Sequence, residues 1–128
     1  MIYIDSSVAL AYLLAESRVP SVAFWNAGLV SSRLLEYEVW NRIHARQLGR
    51  SLGNEARSLM TGIELIELSE PVLARALESW PTAVRTLDAL HLATVEHLRS
   101  QGDSIELASY DTRLIAAARA VAVPIAAL

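Results

Sequence analysis

Short runs of β-branched and aromatic residues alternate along this chain with longer stretches whose apolar positions recur at helical spacing. Ile2-Tyr3-Ile4 is the first short run; it stops at Asp5-Ser6-Ser7, and Val8 to Glu16 then has the apolar density of a buried helix. Arg18 to Gly28, punctuated by Pro20 and Gly28, reads as a loop or short helix, and Leu29-Val30-Ser31 as a second strand. Leu34, Leu35, Glu38, Asn41, Arg42 and Ala45 predict a helix from Arg33 to Leu48 that Gly49 ends, and Ser51 to Met60 suits another closing before Gly62. Ile63 to Leu68 reads as a third strand. Ser69 then caps a helix over Glu70 to Trp80, with Pro71 in its first turn and Pro81 beyond its end. A further helix is predicted from Thr86 to Ser100, stopping at Gly102. Ile105 to Ser109 is a fourth strand running into Tyr110-Asp111, Thr112 to Ala122 a helix, and Val123 to Ala126 a short last strand that Pro124 confines to an edge. Strands alternating with helices imply right-handed crossovers and a short, mostly parallel sheet covered on both faces. The expected fold class is a three-layer α/β/α arrangement, with residues 1–128 as one domain.

One position does not suit this pattern. Asp88 and His91 are the only ionisable side chains in Leu87-Asp88-Ala89-Leu90-His91-Leu92-Ala93-Thr94-Val95, a helix apolar nearly all round. An ionised acid in an interior costs several kcal/mol unless a cation or hydrogen-bond donors meet it. Arg85 stands three residues earlier, ahead of the expected helix start, so a metal ion or a distant Arg is the expected partner. The plainer reading is an acid placed in the first helical turn by the helix dipole.

Composition narrows the chemistry. With 53% apolar residues, 128 positions can bury a full core without staples. No Cys is present, which excludes disulfides, thiolate metal sites and a Cys nucleophile; all 11 cations are Arg. Walker P-loop, receiver-domain and Schiff-base chemistries each need the missing Lys. A formal charge of −3 argues against tight duplex-DNA binding by charge alone, although acids gathered around a divalent ion would present a less negative site to a phosphate backbone. The N-terminus lacks the pattern of a signal peptide and no long uncharged apolar run follows, so a cytoplasmic location without membrane association is expected.

In an open parallel sheet, ligands bind at the C-terminal ends of the strands where the winding reverses. Asp5 and Asp111 are both predicted at strand ends, each also suited to cap the next helix, a role Ser6 and Thr112 could share. Ser109, two residues before Asp111, projects from the same strand face and could aim its hydroxyl at the same pocket. Glu38 is centred on an apolar helical face; it could instead pair with Arg42 one turn on, and Glu36 is the competing position on the face of Ser32 and Trp40. Four acids within about 5 Å repel by roughly 3 kcal/mol per pair at an effective dielectric of 20, a conflict that a divalent ion removes. Oxygen-only ligands favour magnesium or manganese over zinc. His91 reads as a core residue rather than a zinc ligand.

Ile4-Asp5-Ser6-Ser7, Ser32 through Leu34 to Glu38-Val39, Leu87 to Ala93, and Ala108-Ser109-Tyr110-Asp111-Thr112-Arg113-Leu114 resemble, in order and over nearly the whole chain, the four motifs of the PIN-domain family. Within that family they look like the VapC-type toxins of toxin–antitoxin pairs. The resemblance implies a magnesium-dependent endoribonuclease, manganese being a possible substitute. Asp5, Glu38, Asp88 and Asp111 would surround the ion, with Ser6 and Ser109 supporting them, and Arg85 and Arg113 would meet RNA phosphate. It also implies a homodimer that a VapB-type antitoxin inhibits. Trp25, Trp40, Trp80, Tyr12 and the first helix offer apolar surface for those two interfaces. Family members often carry Thr where this chain has Ser109; the hydroxyl is retained. Two rivals stand beside this reading: a degenerate PIN domain that binds RNA or a partner without cutting, and a small metal-dependent phosphatase. The first strand lacks the Asp-x-Asp arrangement that a phosphoaspartyl enzyme needs.

Overall fold

The computed structural model describes residues 1–128. Strands β1 (Ile2–Ile4), β2 (Leu29–Ser32), β3 (Ile63–Ile66) and β4 (Glu106–Ala108) form one sheet in the spatial order β3-β2-β1-β4. Every pairing is parallel, with Tyr3 beside Val30 on one side and Leu107 on the other. Six α-helices connect and cover it: α1 (Ser6–Leu13), α2 (Leu34–Ala45), α3 (Gly49–Thr61), α4 (Glu70–Ala76), α5 (Thr86–Ser100) and α6 (Thr112–Ala120), with a single 3-10 helix at Val22–Asn26.

Side chains alternate between faces along a strand, so adjacent Tyr3 and Ile4 enter opposite cores. Ile4, Leu29 and Ala108 pack with Val8 and Leu10 of α1, Leu35, Val39 and Ile43 of α2, and Ala56 and Met60 of α3. Tyr3, Val30 and Leu107 pack on the other face with Leu92, Val95 and Leu98 of α5 and Leu114, Ala117 and Ala118 of α6. The expected three-layer α/β/α arrangement is what forms.

Two expected elements shorten. The last strand reduces to one parallel bridge between Leu107 and Ile125, since Pro124 has no N–H to extend a ladder. The helix predicted to reach Trp80 ends at Ala76. Trp80 instead packs against the α5 core beneath Arg75, whose guanidinium lies 3.6 Å from the ring centroid and bonds Glu96 of α5 at 2.6 Å. That clamp holds α4 on α5.

The apolar surface also lies elsewhere than expected. The residues of α1 are largely buried, and Trp25, Trp40 and Trp80 are partly buried against the two cores; of the expected set, Tyr12 is exposed. The exposed apolar side chains around α4 and α5 are Leu73, Leu77 and Leu87. No helix is long and apolar enough to cross a membrane.

From β1 the chain steps outward through β2 to β3, then returns to the opposite side of β1 to lay down β4. The winding therefore reverses between β1 and β4, and a crevice opens beyond their C-terminal ends.

Candidate active site

Asp5 directly follows β1 and caps α1. Its Oδ1 accepts from Ser7 Oγ at 2.6 Å and from the Val8 N–H at 3.4 Å, and its Oδ2 accepts from Ser109 Oγ at 2.7 Å. Only 4% of the residue is exposed. Burial pushes its carboxyl above the ordinary value, and the hydroxyl bonds from Ser7 and Ser109 offset only part of that.

Asp111 caps α6. Its Oδ1 accepts from the N–H groups of Arg113 at 2.9 Å and Leu114 at 3.4 Å, while Oδ2 takes Arg85 Nη2 at 2.5 Å. Burial alone would raise its carboxyl; the bonds from Arg85 and from the α6 amides outweigh it and hold Asp111 below the ordinary value. Capping and a place in the cleft turn out to be compatible, because each role uses a different oxygen.

Asp88, buried in the first turn of α5, does have a near cation. Arg85 Nε reaches Asp88 Oδ2 at 2.9 Å, contrary to the expectation that Arg85 lies too far ahead of the helix to serve. Arg85 is the residue that caps α5, and extended backbone at that position sends its side chain back across the first turn. One guanidinium thus bridges Asp88 and Asp111, and these two bonds push its own pKa further up.

Glu38 reaches the cleft from the middle of α2, its Oε1 2.6 Å from His91 Nε2 and its Oε2 accepting from Ser6 Oγ at 3.4 Å. Arg42, its expected helical partner, lines the same cleft without bonding it. Glu36 points away, held by Arg33 at 2.7 Å, and Arg33 in turn pairs with Glu67.

These side chains line one cleft of about 490 Å³ that holds Asp5, Glu38, Asp88 and Asp111 together with Ser6, His91 and Arg85. Arg18 and Arg42 complete its rim. Arg113 is not part of it: its side chain lines a neighbouring groove with Thr82, Val84 and Ala116, and only its backbone N–H serves Asp111.

Beside Arg18 and Arg42, three members of the hydrogen-bond network carry no site role in the sequence reading. Ser7 joins both halves of the crevice, donating to Asp5 and accepting from the Tyr110 N–H at 2.9 Å. His91 bonds Glu38, and Tyr3 bonds His91. The spacing of Asp88 and His91, one helical turn apart, is the sequence signal that could have placed His91 on the same face.

As for a metal, no three of the acids and histidines close around a common point in this arrangement, in which Arg85 pairs with both Asp88 and Asp111. The donor set nevertheless suits a hard divalent ion. Asp5, Glu38, Asp88 and Asp111, from four separate segments, line one cleft that Glu16 also borders, no sulfur is present, and Asp5 is buried with only hydroxyl and amide donors to meet its charge.

Sequence comparisons agree with this architecture. Residues 2–120 match the PIN domain family. Ribonuclease VapC46 of Mycobacterium tuberculosis (strain H37Rv) is 30% identical over 129 residues, which cover 98% of this chain and 96% of that protein. Ribonuclease VapC47 of the same species (strain CDC 1551) is 29% identical over 128 residues, covering 94% and 92%. Ribonuclease VapC35 is 26% identical, covering 99% and 96%. With its parallel sheet, its crevice between β1 and β4 and this match along nearly its full length, the chain belongs to the PIN-domain family, as a VapC-type member.

Proposed function

We propose that the protein is the toxin of a toxin–antitoxin pair, a magnesium-dependent endoribonuclease that hydrolyses RNA phosphodiester bonds. The observation that carries this is the delivery of Asp5, Glu38, Asp88 and Asp111 by four different segments into one cleft at the switch point of the sheet. Three full-length relatives named ribonucleases support the choice of substrate.

The four carboxylates would hold the ion. Once bound, magnesium supplies Lewis acidity that acidifies a water and offsets charge building on the phosphate. The chain itself positions. Ser7 and Ser109 fix the two oxygens of Asp5, Ser6 orients Glu38, and the α6 amides hold one oxygen of Asp111 while leaving the other to the cleft. Arg85, about half exposed, would leave its two acids when the ion arrives and would then stand at the rim to meet substrate phosphate, with Arg18 and Arg42 opposite. Arg113, in the adjoining groove, would contact RNA beyond the scissile bond.

Two partners complete the proposal. A VapB-type antitoxin would neutralise the activity, and a second copy would cover exposed Leu73 and Leu77, which edge an apolar pocket lined also by Trp80, Val84 and Leu90. Sedimentation should then give a dimer at micromolar concentration, and a monomer would remove that element.

The function is tested with Asp88→Asn, which keeps shape and removes charge. Purified wild-type protein with magnesium should cut RNA, and the variant should not, while both fold. Expression of the wild type alone should arrest growth, relieved by its antitoxin, and the variant should leave growth unchanged. Cleavage by Asp88→Asn at the wild-type rate would refute the metal-nuclease reading. RNA binding without cleavage by the wild type would favour a degenerate PIN domain instead.

A further inference from the structure

We infer that His91 is a positioning residue for Glu38, and that Tyr3 selects the ring tautomer through which it acts. This rests on the nuclease reading of the cleft. His91 is 2% exposed and Tyr3 fully buried, yet both ring nitrogens are engaged: Nε2 lies 2.6 Å from Glu38 Oε1, and Nδ1 lies 2.7 Å from Tyr3 Oη. The Tyr3 and His91 rings meet edge to face, with centroids 5.7 Å apart at 81°. A packing residue would require neither polar contact.

The donor pattern follows from the partners. An ionised carboxylate only accepts, so Nε2 carries the proton and donates to Glu38. Nδ1 is then the acceptor, and Tyr3 is the donor that keeps it so. The effect on Glu38 is specific. Its side chain leaves the middle of α2 with only Ser6, at 3.4 Å, as another tether, and the His91 bond pins Oε1 while leaving Oε2 toward the cleft. Because His91 and Asp88 share α5, the same bond fixes the spacing between α2 and α5, the helices that carry two of the four acids. Metal ligands depend on such outer partners, whose loss typically costs about 10–100-fold in metal affinity or activity.

The test uses the full chain. Nitrogen-15 spectra of histidine-labelled, metal-free protein should show His91 as the Nε2–H tautomer, and Tyr3→Phe should populate the other tautomer. That variant removes one hydroxyl, which also lies against Ser31 and Thr94; those two keep their own acceptors, the carbonyls of Ile4 and Leu90. Calorimetry with manganese should show affinity lowered about 10-fold in His91→Met, which fills similar space without a donor, and lowered by less in Tyr3→Phe. His91→Gln, whose amide N–H reaches toward Glu38, should regain much of the loss. A protonated Nδ1 in the wild type overturns the assignment, as does unchanged manganese affinity in folded His91→Met. Should His91→Met not fold, Tyr3→Phe decides by the same two readings. A wild type that binds no manganese overturns the nuclease reading and this role with it, and is told apart because the tautomer is read without metal.

Discussion

Ser109→Ala removes a single oxygen from the centre of the site, and the structure allows its cost to be worked out. That oxygen donates to Asp5 Oδ2 at 2.7 Å and accepts the Asp111 N–H at 2.9 Å. A hydrogen bond to a charged group is worth about 1.5–3 kcal/mol and a neutral one about 0.5–1.5 kcal/mol. Ser109 is only 4% exposed, so little water can replace it, although Ser7 retains its own bond to the other oxygen of Asp5. The expected loss is about 3 kcal/mol, near 10 °C in melting temperature for a chain of this size. Urea unfolding followed by circular dichroism reads it directly, in metal-free protein. Ser109→Thr retains the hydroxyl and should recover most of the loss. A Ser109→Ala variant within about 0.5 kcal/mol of wild type, the range of an ordinary surface change, would refute the reasoning. A Ser109→Thr variant no better than Ala would do the same.

Arg85→Ala should separate two effects: manganese or magnesium binds several-fold more tightly in calorimetry, because the competing guanidinium is gone from Asp88 and Asp111, while RNA cleavage falls. Unchanged metal affinity would show that Arg85 does not compete for those acids. The pH dependence has two opposing parts. Asp5, raised by burial, contributes stability that is complete below the ordinary value of 3.8 and is lost as pH rises through its folded value. Asp111, lowered in the folded protein, contributes stability present above 3.8 and lost as pH falls through its folded value. Magnesium requires Asp5 ionised, so its stabilisation in thermal melts should grow from the acid range toward neutrality; a shift that is constant or largest in acid would count against Asp5 as a ligand.

Much of this molecule was legible in the residue pattern, for a physical reason. Short β-branched and aromatic runs such as Ile2-Tyr3-Ile4 and the helical spacing over Thr86–Ser100 reflect burial demands that act over a few residues, so the chain states them locally. The same holds for Asp5 and Asp111, since a strand end followed by a cap is a local arrangement, and for Asp88, whose apolar surroundings mark it as an acid in want of a partner. What the partner is was decided in three dimensions. Arg85 meets Asp88 and Asp111 because backbone extended at the α5 cap turns its side chain back, and because β4 lies beside β1 and brings Asp111 within reach, 26 positions away in sequence. The strand order likewise joins Ser109 to Asp5, 104 positions apart. Glu38 rather than Glu36 enters the cleft for a similar reason: Arg33, fastened to the β3 end through Glu67, takes Glu36 outward, while His91 receives Glu38. Helical periodicity assigns a face to a side chain within its own element. Which hydroxyl, imidazole or guanidinium stands opposite depends on how the elements are stacked, and only the folded sheet with its helices supplies that.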